Sequence, residues 1–336
     1  MERNNVLVSV VMCAYNTPHD FISAAIQSIL DQTMVQFELL IVDDGSDIPI
    51  DISKFSDKRI KLFRNPNNKG ISFSRNLAIK KALGKYIAIM DSDDIAEKER
   101  LEVELSFMEE NPECVACGTW FRQFGEKNNE CKRIIDDSNL YKARLLFNNE
   151  PTLLDPSCMI RKSVLYDNGI LYDESIKCGM DYLMWVKLTE IGQVHNVKRI
   201  LMNYRTHKNQ ITKKGFKYYD WEIKRYQLSR LGVVISDTTR DLIMLPLSDK
   251  KYSLKDYKEF CDEILAANKK SGYFDEIALK NAVLYQWQRK IIFSKNPIYL
   301  LKGFFAIKHE KRMILKCFLR HFGFFRKMDG IVDNAK

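Results

Sequence analysis

The sequence predicts an α/β protein: a doubly wound, mostly parallel sheet with a mainly helical extension at its C-terminal end. Three observations carry this. Continuous apolar runs alternate with segments of helical spacing between residues 6 and 91. Carboxylate-rich clusters fall where those runs end. From about Ser236 onward the pattern turns helical and charged. Strand and helix signals alternating in this way mark a parallel sheet covered on both faces.

The elements follow in order. Val6 to Ala14 is a Val-rich apolar run, read as a strand buried on both faces. Asp20 to Gln32 carries Phe21, Ala25, Ile29 and Leu30 at helical spacing. Phe37 to Val42 is a second buried strand, stopped by the turn signal Asp43-Asp44-Gly45-Ser46. Arg59 to Asn65 reads as a third strand. Ile71 to Leu83 reads as a helix with Gly84 as its stop. Tyr86 to Met90 is a fourth strand, running into Asp91-Ser92-Asp93-Asp94. From Val115 to about Tyr204 the pattern is mixed. There, Pro156 to Arg161 begins a strand and Asp181 to Glu190 is an amphipathic helix. Tyr252 to Lys270 and Phe274 to Ile292 are helices of the extension. The expected organisation is a sheet-bearing domain over residues 1–235, in halves of about 1–115 and 116–235, then a basic, aromatic helical region over 236–336.

With 336 residues, 46% of them apolar, the chain can bury a sizeable core. Its formal charge is +9, but Leu284 to Lys327 alone holds eleven Lys/Arg against one acid, a net of +10. A near-neutral body with a basic tail differs from a uniformly basic nucleic-acid binder. The eight cysteines are scattered, several in apolar runs, unlike the dense pattern of a secreted disulfide scaffold. Cys114 and Cys117 form a lone C-x-x-C in a strand-like segment, which reads as two buried thiols rather than a metal site. No signal peptide and no apolar stretch long enough to span a bilayer is evident. The expectation is a cytoplasmic protein, peripheral at most.

In doubly wound sheets, ligands bind beyond the carboxyl ends of the strands. Tyr15-Asn16, Asp43-Asp44 and Asp91 to Asp94 all fall there, so three polar loops define one site. Three carboxylates among four residues repel one another unless a cation sits among them. A hard divalent ion takes oxygen ligands, typically one or two carboxylates plus substrate phosphates. Such an ion neutralises a departing diphosphate. The competing reading is a solvated turn with Asp94 as a helix N-cap. Asp43-Asp44-Gly45-Ser46 reads alone as an ordinary turn. Its acid end can equally accept hydrogen bonds from a base or a ribose. Tyr15 suits stacking on a base as well as simple packing.

The string Val8-Ser9-Val10-Val11-Met12-Cys13-Ala14-Tyr15-Asn16 resembles the opening of family 2 glycosyltransferases, which have the GT-A fold. The likeness continues through Asp43-Asp44-Gly45-Ser46, Asn68-Lys69-Gly70, Ser74-Arg75-Asn76 and Ala82-Leu83-Gly84-Lys85-Tyr86 to Asp91-Ser92-Asp93-Asp94. Gly179-Met180-Asp181-Tyr182, with Trp185, looks like the family's acidic motif. Tyr204-Arg205-Thr206-His207 looks like the tyrosine-arginine-x-histidine motif that follows it. The resemblance spans roughly residues 6–212 and says nearly nothing about the sugar. One departure is Met180, where the family often carries Glu.

The resemblance implies a nucleotide-sugar half over about 1–115 and an acceptor half over about 116–235. Donor binding falls to Ala14, Tyr15, Asn16, Asp43, Asp44, Arg75, Asp91, Ser92 and Asp94, with Asp44 on the base of a nucleoside that is usually uridine. It implies Mn²⁺ or Mg²⁺ held chiefly by Asp93 with Asp91, and His207 reaching the metal or the diphosphate. Asp181 becomes the base that deprotonates an acceptor hydroxyl in an inverting transfer, and Ser157 lies near the acceptor. From local sequence alone, Asp181 reads rather as a helix N-terminal acid and His207 as an exposed loop histidine.

The implied partners are a nucleotide-sugar donor and a glycan or lipid-linked acceptor, as in surface polysaccharide synthesis. The ten aromatics interleaved with cations over 284–327 suit an anionic membrane surface at the inner face of the cell membrane. They also suit a helical subdomain with solvated charges. Nucleic acid is not expected. A nucleotidyltransferase is the rival enzyme class, but residues 14–20 lack the Gly and Lys/Arg that would hold a triphosphate. A non-catalytic nucleotide-binding protein is the third reading, against which stand the intact acids Asp93 and Asp181.

Overall fold

The computed structural model describes residues 6–132, 137–147, 153–208, 216–244 and 252–293. Its centre is a four-stranded parallel half-sheet. β1 (Val8–Ala14) lies between β2 (Phe37–Asp43) and β4 (Tyr86–Asp91), and β3 (Ile60–Arg64) flanks β2. The register is continuous: Val11 sits beside Leu40 on one side and Ile89 on the other. All seven residues of β2 are buried, as expected for a strand covered on both faces. α1 (His19–Leu30) buries Ile22, Ala25, Ile26 and Ile29, and α2 (Ile71–Lys81) buries Ala78 and Ile79. Each fully buried Val, Leu or Ile contributes roughly 1.5–3 kcal/mol, so this double-sided core fixes where the strands end.

Beyond β4 the sheet is mixed, but its antiparallel pairings are only two or three residues long, so the sheet as a whole is mostly parallel, as expected. β5 (Ile95–Ala96) leaves the acidic loop, α3 (Arg100–Glu110) follows, and β6 (Cys114–Gly125) pairs with the two-residue β7 (Glu130–Cys131). After α4 (Ser138–Leu145), a 3-10 turn at Asp155–Ser157 leads into β8 (Met159–Arg161). α5 (Lys162–Asp167) and α6 (Met180–Ile191) precede β9 (Gln193–Thr206). β8 runs antiparallel to both β4 and β6, β9 is parallel to β6, and β5 is antiparallel to β9. The whole is a nine-stranded sheet in the order β3-β2-β1-β4-β8-β6-β9-β5, with β7 off β6. The reversal arises at the 3-10 turn, where the Cys158 carbonyl accepts from the Ile89 amide at 2.9 Å and docks β8 against the edge of β4. Cys114 and Cys117 are free, buried thiols in β6, as the strand reading expects.

The chain divides into two compact units, residues 1–223 and 224–336. α7 (Phe216–Leu231) runs across the division. In the second unit, α8 (Asp237–Met244) precedes α9 (Leu254–Ser271), which begins at a capping box of Ser253 and Asp256 and stops at the left-handed Gly272. α10 (Glu276–Phe293) packs on α9, with Trp287 stacked on Tyr257 at 5.8 Å. Most of the basic aromatic segment expected at a membrane, residues 294–327, lies outside the described residues.

Candidate active site

Parallel pairing brings the carboxyl ends of β1, β2 and β4 level. Ala14 lies beside Asp43, and Cys13 beside Asp91. The Ala14 carbonyl accepts from the Asp44 amide at 2.8 Å, joining the first two loops at their root. Asn16 takes a left-handed backbone, φ 50°, which Asn tolerates better than most residues. Its amide donates to Ser46 Oγ at 2.9 Å, and its side chain exchanges hydrogen bonds with Asp47 at 3.0 and 2.9 Å. Tyr15 is left 48% exposed at the mouth of the site, free to present a ring face.

Asp43 and Asp44 are both buried but hold different things. Asp43 accepts from the Ser46 amide and from Arg64 Nη1 at 2.5 Å, so it shapes its own loop. Asp44 accepts from Asn65 Nδ2 at 2.7 Å, the Lys69 amide at 2.9 Å and the Gly70 amide at 2.8 Å. It pins the loop that leads into α2. Gly45 permits this closeness: φ is +76°, and a Cβ there would meet the Asn67 carbonyl carbon at 2.5 Å.

The acidic loop follows β4. Ligand oxygens of Asp91, Asp93 and Asp94 all lie within 4.8 Å of one another. Asp94 is fully buried: Oδ1 accepts from the Arg205 amide at 2.7 Å, and Oδ2 has no hydrogen-bond partner. Burial, and then repulsion from Asp91 and Asp93, push its carboxyl well above the usual range. Asp91 moves the same way, chiefly through desolvation, with Arg75 opposing. Because 32% of its side chain stays exposed, water relieves it more than Asp94. Ser92 is buried and bonds Thr17 Oγ1 at 2.8 Å, so it ties the loop to the start of α1. His207 Nε2 stands 2.9 Å from Asp93 Oδ2.

Arg75 projects from α2 beneath this loop, with only 4% of its side chain exposed. Nη2 donates to Asp91 Oδ1 at 2.9 Å, and Nη1 pairs with Asp155 Oδ2 at 2.5 Å. Asp181 is the second residue of α6, which starts from Gly179 at φ 81°. Desolvation raises its pKa, and the Arg75 charge pulls it back. Ser157, expected near the acceptor, lies in the 3-10 turn before β8. It is fully buried, its hydroxyl donating to the Leu154 carbonyl at 2.8 Å and accepting from the Thr119 amide at 3.3 Å.

Sequence reasoning missed three contributors. Asp155 is a buried acid beside Arg75. Tyr172 bonds Asp155 at 3.1 Å. Arg205, known only as part of a motif, is stacked between Phe21 and Phe124 at 4.0 and 4.4 Å while its Nε donates to the Asp93 carbonyl at 2.7 Å. The only local signal for Asp155 was its place before Pro156 in an apolar stretch, where an acid is expensive unless paired.

The donor set fits a divalent cation. It is all hard oxygen with one imidazole at the edge. One carboxylate oxygen is sealed from water with no partner, and both inner acids are destabilised in their charged forms. A cation relieves all three conditions at once.

A parallel half-sheet with acids and arginines at its carboxyl edge, extended by a mixed half that carries Asp181, is the arrangement of a GT-A glycosyltransferase. Among solved structures, Staphylococcus aureus TarS residues 1–349, crystallised with UDP-GlcNAc, shares this fold at a TM-score of 0.58 and 16% identity, covering 94% of this chain and 89% of that one. In sequence, residues 9–169 match the model of Glycosyl transferase family 2. An uncharacterized glycosyltransferase of Methanocaldococcus jannaschii is 30% identical over 281 residues, 74% of this chain and 96% of that protein. The Escherichia coli UDP-Glc:alpha-D-GlcNAc-diphosphoundecaprenol beta-1,3-glucosyltransferase WfgD is 32% identical over 228 residues, covering 66% and 84%. The chain belongs to glycosyltransferase family 2.

Proposed function

We propose that the protein is an inverting, metal-dependent glycosyltransferase that moves a sugar from a nucleoside diphosphate, in the first instance uridine diphosphate, to a hydroxyl of a glycan or lipid-linked acceptor. The observation that carries this is the Asp91-Asp93-Asp94 cluster with its sealed, partnerless oxygen, in electrostatic reach of Arg75 and Asp181. Support for the donor and acceptor classes comes from relatives: the E. coli protein is named for a UDP-glucose donor and a diphosphoundecaprenol acceptor, and TarS was crystallised with UDP-GlcNAc. Surface polysaccharide assembly at the inner face of the cell membrane is the setting such an acceptor implies.

Each residue has a role under this reading. Tyr15 offers a ring face to the base. Asp43 and Asp44 set the shape of the nucleoside loop, Asp44 keeping its remaining lone pairs for the base or ribose, and Ala14 and Asn16 fix the opposite wall. Asp91, Asp93 and Asp94, with His207 on Asp93, hold Mn²⁺ or Mg²⁺. The bound ion supplies charge neutralisation to the departing diphosphate. Asp181 accepts the proton from the acceptor hydroxyl as that oxygen attacks, and its raised affinity for protons suits the task. No covalent enzyme intermediate is required.

Calorimetric titration of UDP, and then of UDP-, GDP- and dTDP-sugars, with and without Mn²⁺ or Mg²⁺ tests the reading. Metal is expected to tighten capture of one nucleotide class by tenfold or more, about 1.4 kcal/mol. Capture that is indifferent to metal for every sugar nucleotide sinks the proposal.

A further inference from the structure

Arg75 has two terminal nitrogens and spends them on two acids from different parts of the chain. Nη2 meets Asp91 Oδ1 at 2.9 Å, at the end of β4; Nη1 meets Asp155 Oδ2 at 2.5 Å, in the turn before β8. Asp155 is only 6% exposed and is itself held: Tyr172 donates its hydroxyl to Oδ1 at 3.1 Å, and the same ring lies 5.1 Å from the guanidinium. Tyr172 is fixed to the next residue of α2, its amide donating to Asn76 Oδ1 at 3.0 Å and its carbonyl accepting from Asn76 Nδ2 at 2.9 Å. The position of the Arg75 head is therefore set from one side by Asp155 and from below by Tyr172.

A lone Arg–carboxylate pair closes as a fork, both nitrogens on both oxygens. Such a fork on Asp91 would cover the whole carboxylate and neutralise an acid of the cation cluster. Sharing with Asp155 prevents it, because only one oxygen of Asp91 carries a guanidinium contact and the other stays clear. We propose that Asp155 is a positioning residue for the divalent-cation site: it draws half of the Arg75 guanidinium away from Asp91, so that Asp91 keeps an oxygen and its negative charge for the metal. Asp155 touches neither metal nor donor in this scheme and acts through Arg75. The inference rests on the metal-dependent reading above.

The test is Mn²⁺ binding by electron paramagnetic resonance on the full-length protein, with UDP present and then absent, so the readout is independent of transfer. At pH 8, above the value of about 7 to which burial pushes the Asp155 carboxyl, Asp155→Asn keeps the shape and removes the charge. Its Mn²⁺ affinity is expected to fall on the order of tenfold, well below what a whole unit charge a few ångströms away would do at an effective dielectric near 20, because the guanidinium only shifts its contact. Asp155→Glu, which keeps the charge, is expected to recover most of that loss. The double variant with Arg75→Gln decides the route: once Arg75 is gone, Asp155→Asn is expected to cost little more, so the two effects are strongly non-additive. Full additivity overturns the proposal, as does unchanged Mn²⁺ affinity in Asp155→Asn. Loss of transfer by Asp155→Asn with metal and UDP binding intact overturns it too, by making Asp155 an acceptor-side group. Should that variant fail to fold, Tyr172→Phe frees one of the two partners of Asp155 and is expected to weaken Mn²⁺ two- to threefold; no change would sink the idea. If the wild type binds no Mn²⁺ even with UDP, the metal-dependent reading itself has failed, a result distinct from a wild type and variant that bind equally.

Discussion

Asp181 and Asp93 are both acids of the same site, yet they make separable demands on an experiment. Asp181 stands at the start of α6, and desolvation lifts its pKa while Arg75 restrains the rise. If it is the proton acceptor, Asp181→Asn removes only that function. Donor affinity by calorimetry is expected to stay within about twofold, while the transfer rate falls by roughly 10²–10⁴. The pH profile carries the sign: the carboxylate must be ionised, so transfer is present above its pKa and lost as pH falls through it. That acid limb should lie above the usual carboxylate range. A variant that transfers at near the wild-type rate removes Asp181 from the mechanism. At this scale much of the site was legible: the acids at Asp43, Asp44 and Asp91 to Asp94 sit at strand ends that apolar runs locate unaided. Asp155 and Tyr172 were not, because their significance lies in meeting Arg75 from 80 and 97 positions further along the chain. No local pattern encodes such a meeting.

Elements explain which parts of the fold could be read. β1, β2 and β4 are buried on both faces, so they appear as unbroken apolar runs, and the sequence placed their ends within two residues. β6 and β9 form the longest pairing in the sheet, and only the start of β6, at Cys114 and Cys117, reads as strand from sequence. Their register shifts between Cys114 and Ala116 and twice more between Thr119 and Phe121, and each irregularity breaks the two-residue period on which strand reading depends. α3 shows what such a reading also hides. Its Arg100–Glu104 pair, 3.2 Å apart, is wholly buried beneath the acidic loop, where Arg100 donates to the Ile89 carbonyl at 2.8 Å. Burial pushes the Glu104 carboxyl up to about 7, against the pull of Arg100. The folded state therefore binds this proton more tightly than the unfolded chain does. The corresponding stability is fully present below about pH 4.5 and is lost as pH rises through about 7. Glu104→Gln abolishes that dependence. The difference in Tm, variant minus wild type, is expected to rise between pH 5 and pH 8. A difference that stays flat over this range would show that Glu104 does not titrate there.

For the whole molecule, charge is the organising fact. The chain carries +9, and residues 284–327 alone carry +10, so everything else is nearly neutral. Among the described residues no helix is long and apolar enough to cross a membrane. Under the proposed function, the hold on a lipid-linked acceptor's membrane is a surface contact, for which the basic aromatic segment has the chemistry. Each Lys or Arg near an anionic surface contributes about 1 kcal/mol, and interfacial aromatics add to it. That attraction is electrostatic and must fade with salt, since the screening length shrinks from about 10 Å at 0.1 M to about 3 Å at 1 M. Full-length protein is accordingly expected to float with vesicles containing phosphatidylserine at 0.1 M salt. It is expected to stay down with purely zwitterionic vesicles, and to float markedly less with anionic ones at 1 M. A chain ending at residue 293 is expected to stay down in every case while still binding sugar nucleotide, because its carboxylate edge, unlike its charge, lies entirely in residues 6–208. Flotation that ignores salt and lipid charge would assign the contact to apolar insertion instead. Failure of both proteins to float removes the membrane role and leaves the tail's cations to solvent.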